Sequence, residues 1–314
     1  MNSKDNIVTS VADYVQKISD LRKSSVSFRD ASLSALTFFR GQANSKWGLS
    51  PRLYREGLFK KERTLISEFI RIIPDEFKNM TQFDILVKMQ HYGLPTRLLD
   101  ATLNPLIALF FACHDKNYKD LCGSVFAFIS MPVNRQEMST IKSTVKYSFE
   151  YSGHTLNVKK FMNDLYNSKY LIDIEPLQRK LEDYVTVLSI PFHAIIPNLN
   201  NRRIINQDGA FFLFGMNSKP YVNPNLNKLA PNFLDFSPVE FNSKEDLQKF
   251  WGSTNIFYIP PESKKSILED LESLGISRNK MFPELEYQAD YITEQIKNDI
   301  VRSTLPITSK TKNN

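Results

Sequence analysis

The segment from Leu106 to His114 limits how this chain can fold more than any other, because nearly every residue in it is apolar. Asn104-Pro105 precedes it, a side-chain helix cap followed by proline at the first helical position, so the segment predicts a helix. A helix that is apolar on all sides must be buried on most of them. With 314 residues, 42% of them apolar and 24% charged, the chain can enclose this helix in one large domain or two fused ones.

Hydrophobic periodicity predicts further elements. Helical spacing of apolar residues occurs at 11–21, 62–77, 83–90, 263–275 and 282–301. Short apolar runs typical of strands occur at 35–39, 123–130, 185–190, 209–214 and 255–259. We interpret 90–102 as a turn between two apolar helices, 200–208 as a polar connection, and 219–238, rich in Pro and Asn, as a long loop or lid. Because strands and helices do not alternate regularly, the pattern predicts an α+β fold, a single compact domain with a small central mixed sheet flanked by helices.

The domain boundaries follow from changes in composition. Residues 1–34 are predicted to form an N-terminal helix and a loop, and the main domain to span 35–302. Within it, about 134–182 is rich in Lys, Asn and Tyr and has weaker patterning, which predicts a helical insertion. Residues 303–314 form a polar tail.

Charge and cysteine content restrict the cellular setting. Forty Lys and Arg against 34 Asp and Glu give a net charge of +6, which allows an anionic partner, although a solvated basic surface is the simpler explanation. Two cysteines, Cys113 and Cys122, are too few for a zinc site or a disulfide framework, so we expect no metal and a reducing cytoplasm. The charged N-terminus and the absence of any run of eighteen apolar residues predict no export and no membrane association.

Arg40, Gly41 and Gln42 stand at the end of the apolar strand predicted at 35–39. A buried arginine must be paired, and its planar fork suits phosphate, carboxylate or a cluster of carbonyls. The sequence leaves two interpretations open for Arg40: a ligand-binding cation, or a structural residue that ties loops together.

A second polar segment, 90–102, carries His, Arg, Asp and two Thr between apolar neighbours. His91 can exchange a proton near neutral pH, and threonine hydroxyls can orient a ligand. The alternative is local structural chemistry, in which Asp100 or Asn104 caps a helix and Arg97 pairs with Asp100. No Gly-rich phosphate loop, G-x-S-x-G or H-E-x-x-H string occurs. Glu284 and Glu286 stand at a predicted helix start, where acids favour the dipole, so we assign them no catalytic role.

These segments together resemble the FRG domain family of bacteria and phages. The resemblance rests on Phe-Phe-Arg-Gly-Gln at 38–42 with Trp47 and Pro51-Arg52, on the long string at 90–112, on 202–211 with its Gln-x-Gly-x-Phe element, and on 281–286. It covers about 35–295. The family long had no assigned activity, so the resemblance implies a shared fold and little chemistry.

A weaker resemblance to ADP-ribosyltransferases with an Arg-Ser-Glu type of site supplies a chemistry. In those enzymes a strand ends in an aromatic-Arg-Gly element, a Ser- or Thr-bearing strand and an apolar helix follow, and a glutamate lies near a late strand. Phe39-Arg40-Gly41 matches the first element, Thr96 or Thr102 the second, and the Gln207 to Phe211 segment the third. Gln207 and Asp208 stand where the glutamate is expected, and a glutamine cannot act as a base, so Asp208 or a carboxylate elsewhere would serve.

The resemblance implies NAD as a substrate, with no metal. It assigns Arg40 to the pyrophosphate or ribose, and places His91 and Tyr92 at the nicotinamide. The catalytic candidates are therefore Arg40, His91, Gln207 and Asp208. The candidates for NAD binding are Arg40, Gly41, Gln42, Tyr92, Thr96, Arg97 and Thr102. We expect Arg40, His91, Thr96, Arg97 and Gln207 to converge in one pocket.

The leading hypothesis is thus an NAD-dependent ADP-ribosyltransferase acting as an intracellular bacterial toxin or anti-phage defence effector, with RNA or another nucleic acid as acceptor and an antitoxin protein as its neutralising partner. The alternative is a non-catalytic module that binds a nucleotide-like ligand or another protein. If RNA is the acceptor, basic residues should flank the pocket and aromatic residues should stack on bases. The residues in question are Lys46, Arg52, Arg55, Lys60 and Lys61, and Trp47, Tyr54 and Phe59.

Overall fold

The structure is a computed structural model that describes residues 6–24, 36–130, 139–151, 155–167, 191–199, 201–223, 228–239, 241, 246 and 255–284. Within these residues the α-helices are α1 (Val11–Ser24), α2 (Arg52–Arg55), α3 (Glu62–Ile72), α4 (Gln82–His91), α5 (Pro105–Cys113), α6 (Ser139–Glu150), α7 (Val158–Asn167), α8 (Arg202–Asn206), α9 (Pro261–Ser273) and α10 (Arg278–Met281). The strands are β1 (Leu36–Gln42), β2 (Leu98–Thr102), β3 (Gly123–Ser130), β4 (Thr155–Asn157), β5 (Phe192–Ile195), β6 (Gly209–Phe214), β7 (Met216–Asn223), β8 (Lys228–Pro238) and β9 (Asn255–Ile259).

Helix α5 has the start and the burial that its sequence predicts. The side chain of Asn104 accepts a hydrogen bond from the backbone N–H of Leu106 at 3.0 Å, and Pro105 occupies the first turn. Most residues of the helix are buried. The cap confirms the structural interpretation of Asn104.

A six-stranded sheet forms the centre of the α+β fold, in the order β5-β6-β2-β1-β3-β9. Neighbouring strands in it are antiparallel, and an isolated parallel bridge joins Ile7 to Tyr258. Residues 98–102 form strand β2, so the interpretation of 90–102 as only a turn between helices was wrong. The strand is short and follows a proline-containing turn directly, which hides it in the sequence. It lies between β1 and β6 and brings their ends together.

Two glycines allow α5 to pack closely against the sheet. A Cβ atom on Gly41 would lie 1.8 Å from the carbonyl oxygen of Ala108, and one on Gly123 would lie 2.4 Å from that of Ala112. Backbone atoms cannot move aside as a flexible side chain can. The glycine after Arg40 is therefore required by helix packing, whatever else it contacts.

Adjacent residues of β1 enter different cores, because side chains alternate across a strand. Phe39 packs with helices α1, α5 and α9 on one face of the sheet. Phe38 packs on the other face with Phe128, Phe212 and residues of α7 and the second sheet. A third cluster joins α3, α4 and α6 to β2 and β6. Arg40 is thus held at the end of a strand that is packed on both faces.

The second sheet corrects the interpretation of 219–238 as a loop or lid. Its order is β4-β8-β7, and β7 and β8 form an antiparallel pair. Pro220 lies in the edge strand, where the register shifts before Val222, and proline is tolerated at such positions because it cannot donate to a ladder. Part of the predicted insertion, 134–182, is described as α6, β4 and α7.

Several other predictions can be compared with the structure. The strand at 123–130 has the predicted bounds, and 200–208 contains the short helix α8 instead of only a loop. The helix predicted at 62–77 ends at Ile72 and continues as a 3-10 turn at Pro74–Phe77. Predictions for 185–190, 285–301 and 303–314 lie outside the described residues. Among the described helices, none has the length and apolar character needed to cross a bilayer.

Candidate functional site

A cleft of about 190 Å³ opens where β1 and β2 meet the end of α5 and the turn after α8. Its lining combines charged, amide and aromatic side chains: Phe39, Arg40, Gly41, Gln42, Ala43, Trp47, Asp100, Ala101, Thr102, Phe111, His114, Asp115, Arg203 and Gln207. Five sequence-predicted site residues are among them, Arg40, Gly41, Gln42, Thr102 and Gln207. The cleft is therefore the candidate site.

Arg40 supplies the cation of the cleft. Its Nη1 donates a hydrogen bond to the carbonyl oxygen of Asp100 at 2.5 Å, while its buried Nε has no hydrogen-bond partner. Burial lowers the pKa of Arg40 to about 10, opposed by the negative charge of Asp100, and the nearby charge of Arg55 lowers it further. The guanidinium is still protonated at neutral pH. It is tied to the sheet by one nitrogen and keeps another donor without a protein acceptor.

Gln42 lines the same cleft two residues further along the chain. Its amide Nε2 donates to the carbonyl oxygen of Gly48 at 3.2 Å, but its buried Oε1 has no hydrogen-bond partner. Buried polar groups are nearly always paired, so unpaired ones in a cleft are available to a ligand. Arg40 and Gln42 thus provide one such donor and one such acceptor.

Aromatic groups also line the cleft. Trp47 packs edge-on against Tyr118, with ring centroids 4.8 Å apart. The ring of His114 stacks on Phe110 and lies 5.7 Å from the ring of Phe282. Burial lowers the pKa of His114, so its imidazole is neutral at neutral pH. These rings give the cleft flat apolar surfaces beside its cation.

Thr102 and Gln207 hold the end of β2 to the turn after α8. The hydroxyl of Thr102 donates to the carbonyl oxygen of Gln207 at 2.7 Å, and the amide of Gln207 donates to the carbonyl oxygen of Met281 at 2.9 Å. Both residues line the cleft, but these bonds also give them structural roles. Asp208 is the acid that the sequence analysis offered in place of the expected glutamate. Its backbone is left-handed, with φ of 44°, and it lines neither the cleft nor a smaller cavity that adjoins the cleft.

A smaller cavity of about 60 Å³ adjoins the cleft. Its lining includes Gln90, His91 and Asn201, and it shares four residues with the cleft, namely Asp100, Ala101, Arg203 and Gln207. The two cavities therefore form one site with a common wall. His91 belongs to this site, because it lines the smaller cavity together with Gln207, whereas Arg40 lines only the cleft.

Glu284 is one of the residues at the site that the sequence interpretation missed. Its Oε1 lies 2.7 Å from Nε2 of His91 and 3.7 Å from Nη1 of Arg203, and its buried Oε2 has no partner. The guanidinium of Arg203 lies over the ring of Phe282 at 5.1 Å. The signal in the sequence was the resemblance at 281–286. We set its carboxylate aside as a helix-start acid, and the residues after Glu284 that would form that helix lie outside the described residues.

Arg97 and Thr96 line neither cavity, which corrects their assignment to NAD binding. Arg97 is completely buried and forms a two-pronged ion pair with Glu62, in which Nε donates to Oε1 at 2.8 Å. Its guanidinium also lies near the rings of Phe59 and Tyr147. Its partner is therefore Glu62, and the alternative pairing with Asp100 was wrong as well.

Thr96 is also buried, and its hydroxyl donates to Oε1 of Gln90 at 2.7 Å. It shapes the turn that leads into β2. Tyr92 is 61% exposed and packs edge-on against His91, with centroids 5.1 Å apart, but it lines neither cavity. Five residues were expected to converge in one pocket. Arg40 and Gln207 line the cleft and His91 lines the adjoining cavity, whereas Thr96 and Arg97 line neither.

The surface predicted to hold RNA is only partly present. Lys46, Arg52, Arg55, Lys60 and Lys61 are exposed, and none of them lines either cavity. Trp47 lines the cleft, whereas Tyr54 and Phe59 are buried in the core. Of the three aromatic residues, Trp47 alone can contact a bound molecule directly. In the described part of the chain, no three His, Cys, Asp or Glu side chains are grouped to hold a metal ion.

The fold and the site define an α+β domain whose Arg-bearing central strand opens into a polar and aromatic cleft. Residues 35–121 match the family model of the FRG domain, so this segment of the chain is similar to FRG domains. The segment contains β1, β2 and α5, and with them Arg40, Gln42, His91 and Asp100. Comparisons with curated proteins and with solved structures gave no match.

Proposed function

We propose that the protein is an NAD-consuming ADP-ribosyltransferase. The observation that carries the proposal is the arrangement of three elements that resemble those enzymes. They belong to β1, to β2 and to the turn that leads into β6, and these three strands lie side by side in the sheet. Arg40, Thr102 and Gln207 from these elements line one cleft. Residues 167 positions apart in the chain (207 − 40) therefore form a single site.

The lining of the cleft suits one end of a dinucleotide. A guanidinium with a free donor can hydrogen-bond pyrophosphate or ribose oxygens, and charge-assisted bonds of this kind are the strong ones. The rings of Trp47, Phe111 and His114 offer surfaces for a flat nicotinamide. At about 190 Å³ the cleft is smaller than the roughly 300–1,000 Å³ of pockets that enclose a whole ligand. The adenosine end would then lie outside it.

The acceptor and the cellular role are part of the proposal. The five exposed basic residues after β1 and the net charge of +6 favour a nucleic acid such as RNA, because phosphate contacts position a substrate before any base is read. Consumption of NAD and modification of RNA would injure the cell that contains the protein. This favours a toxin or an anti-phage defence effector in the cytoplasm, with an antitoxin protein as its partner.

The experiment is to incubate the purified protein with NAD labelled in the ADP-ribose part, together with total cell RNA or with cell lysate. The proposal predicts transfer of label to macromolecules and release of nicotinamide, with the RNA reaction weakening steeply as salt rises. Label on a protein band, with no dependence on salt, would show that the acceptor is a protein and not RNA. Binding of NAD without transfer or release would support the non-catalytic module instead.

A further inference from the structure

Asp100 lies at the centre of β2. It is the exposed residue of this strand, and the two residues on either side of it are buried. It is the carboxylate-bearing residue that the cleft and the smaller cavity share. Strand β2 is paired on both edges, with β1 and β6, so the backbone that carries this carboxylate is held rigidly.

Other carboxylates near the site are engaged in hydrogen bonds or ion pairs. Asp115 caps a 3-10 turn through a bond from the N–H of Asn117 at 3.0 Å. Glu284 pairs with His91 and Arg203 through Oε1, and although its buried Oε2 has no partner, the residue lines neither cavity. Asp208 accepts a bond from the amide of Asn104 at 3.0 Å, away from both cavities.

Asp100 is held more loosely than these. Its Oδ2 receives one long contact from Nε2 of Gln90, at 3.5 Å, which is near the limit of a hydrogen bond. Its main-chain carbonyl, by contrast, accepts the short bond from Arg40. The backbone of Asp100 thus positions the cation, while its carboxylate remains available at the junction of the two cavities.

We propose that Asp100 is the catalytic carboxylate of this site, and this assignment rests on the proposed ADP-ribosyl transfer. The ribose bound to nicotinamide would lie in the cleft, and the nucleophilic O–H or N–H group of the acceptor in the smaller cavity. The bond between C1′ and the nicotinamide nitrogen breaks, and its electron pair leaves with neutral nicotinamide. The acceptor atom forms the new bond to C1′, and its proton passes to the Asp100 carboxylate, which later releases it to water.

Asp100 supplies the carboxylate that Gln207 lacks. An amide cannot take a proton from the acceptor or balance the positive charge that develops at C1′. The Asp100 carboxylate can do both, because it borders the cavities that would hold the two reactants.

The test compares Asp100→Asn with wild type in the labelled-NAD reaction, together with NAD binding by calorimetry. The asparagine keeps the size of the side chain and leaves the main-chain carbonyl that accepts the bond from Arg40. Because the position is also exposed, the fold should be unchanged. We expect transfer to fall at least about a hundredfold, the range of a lost general base, with NAD affinity within a few-fold of wild type. Asp270→Asn, at an exposed position of α9, is the matched control and should transfer label at the wild-type rate.

Asp208→Asn separates the two acid candidates. Full transfer by Asp100→Asn, or a loss confined to Asp208→Asn, would overturn the assignment of Asp100 and leave the ADP-ribosyltransferase proposal intact. Wild-type protein that neither transfers label nor releases nicotinamide would overturn both proposals at once. Loss of transfer in Asp100→Asn alone, with binding retained, supports the assignment.

Discussion

The guanidinium of Arg40 and the main-chain carbonyl of Asp100 are joined by a hydrogen bond of 2.5 Å between neighbouring strands. The strand that carries the cation of the cleft is therefore fastened to the strand that carries its exposed carboxylate. A shift of either strand would move both groups, and groups held on strands are positioned more precisely than groups on loops.

Arg40→Ala is expected to reduce NAD binding at least about tenfold, because a charge-assisted contact is worth roughly 1.5–3 kcal/mol. The melting temperature should stay within a few degrees of wild type, since one partly exposed hydrogen bond is lost. Calorimetric titration with NAD and thermal unfolding measure the two quantities.

Arg71→Ala is the matched control, because Arg71 is exposed on α3 and paired locally with Glu68. It should bind NAD like wild type. A large loss of melting temperature in Arg40→Ala with binding retained would show instead that Arg40 is the structural residue of the alternative interpretation.

Arg97→Met should destabilise the fold strongly, because it leaves the buried Glu62 carboxylate without its partner. Loss of one member of a buried ion pair typically costs about 3–5 kcal/mol. Urea unfolding followed by circular dichroism measures the change. Arg71→Ala, which removes an exposed pair, should leave the unfolding midpoint unchanged, and an equal midpoint for the two variants would refute the buried role of Arg97.

Gly41→Ala should be poorly folded, since its new Cβ would collide with the backbone of α5 at Ala108. Gly209→Ala is the comparison, because a Cβ there would lie 3.3 Å from the nearest atoms of Ile204, a contact that a small shift relieves. We expect a loss of at least about 3 kcal/mol at Gly41, the upper part of the range for overpacking, and a smaller one at Gly209. Soluble yield and unfolding midpoints distinguish them, and equal midpoints would contradict the close approach of helix and sheet.

His193 should make the fold sensitive to acid. Burial lowers the pKa of His193 from 6.5 to about 4, so between these values the unfolded chain binds a proton that the folded chain does not. Stability should therefore fall as the pH drops from about 6.5 to about 4, by up to about 3 kcal/mol from this residue. His193→Gln cannot titrate and should show a smaller difference in unfolding free energy between pH 7 and pH 4.5. The same difference in both proteins would exclude His193 as a source of acid sensitivity.

Local patterns were sufficient for much of the fold. The Asn104-Pro105 start of α5 and the strand at Gly123–Ser130 depend on neighbouring residues, and both are predictable from them. Strand β2 was missed because five residues after a turn carry too little periodicity to show a strand. The Pro-rich hairpin of β7 and β8 was missed because tertiary pairing overrides the turn propensity of its residues.

The site was less predictable than the fold. Arg97 lies 35 positions from its partner Glu62, and Glu284 lies 193 positions from His91, so no local pattern reveals either pair. Arg40 and Arg97 look alike in the sequence, each an arginine among apolar residues. Only the packing around them shows that one faces a cleft and the other fills a core.

The most direct measurement is the release of free nicotinamide from NAD, followed by chromatography, for wild type and Arg40→Ala side by side in the presence of total cell RNA. We predict continuous release by the wild type and a rate at least about a hundredfold lower for Arg40→Ala, as for the loss of a group that stabilises transition-state charge. Equal release by the two proteins would contradict the placement of the site. No release by the wild type, under conditions where calorimetry shows NAD bound, would contradict the proposal that this cleft consumes NAD.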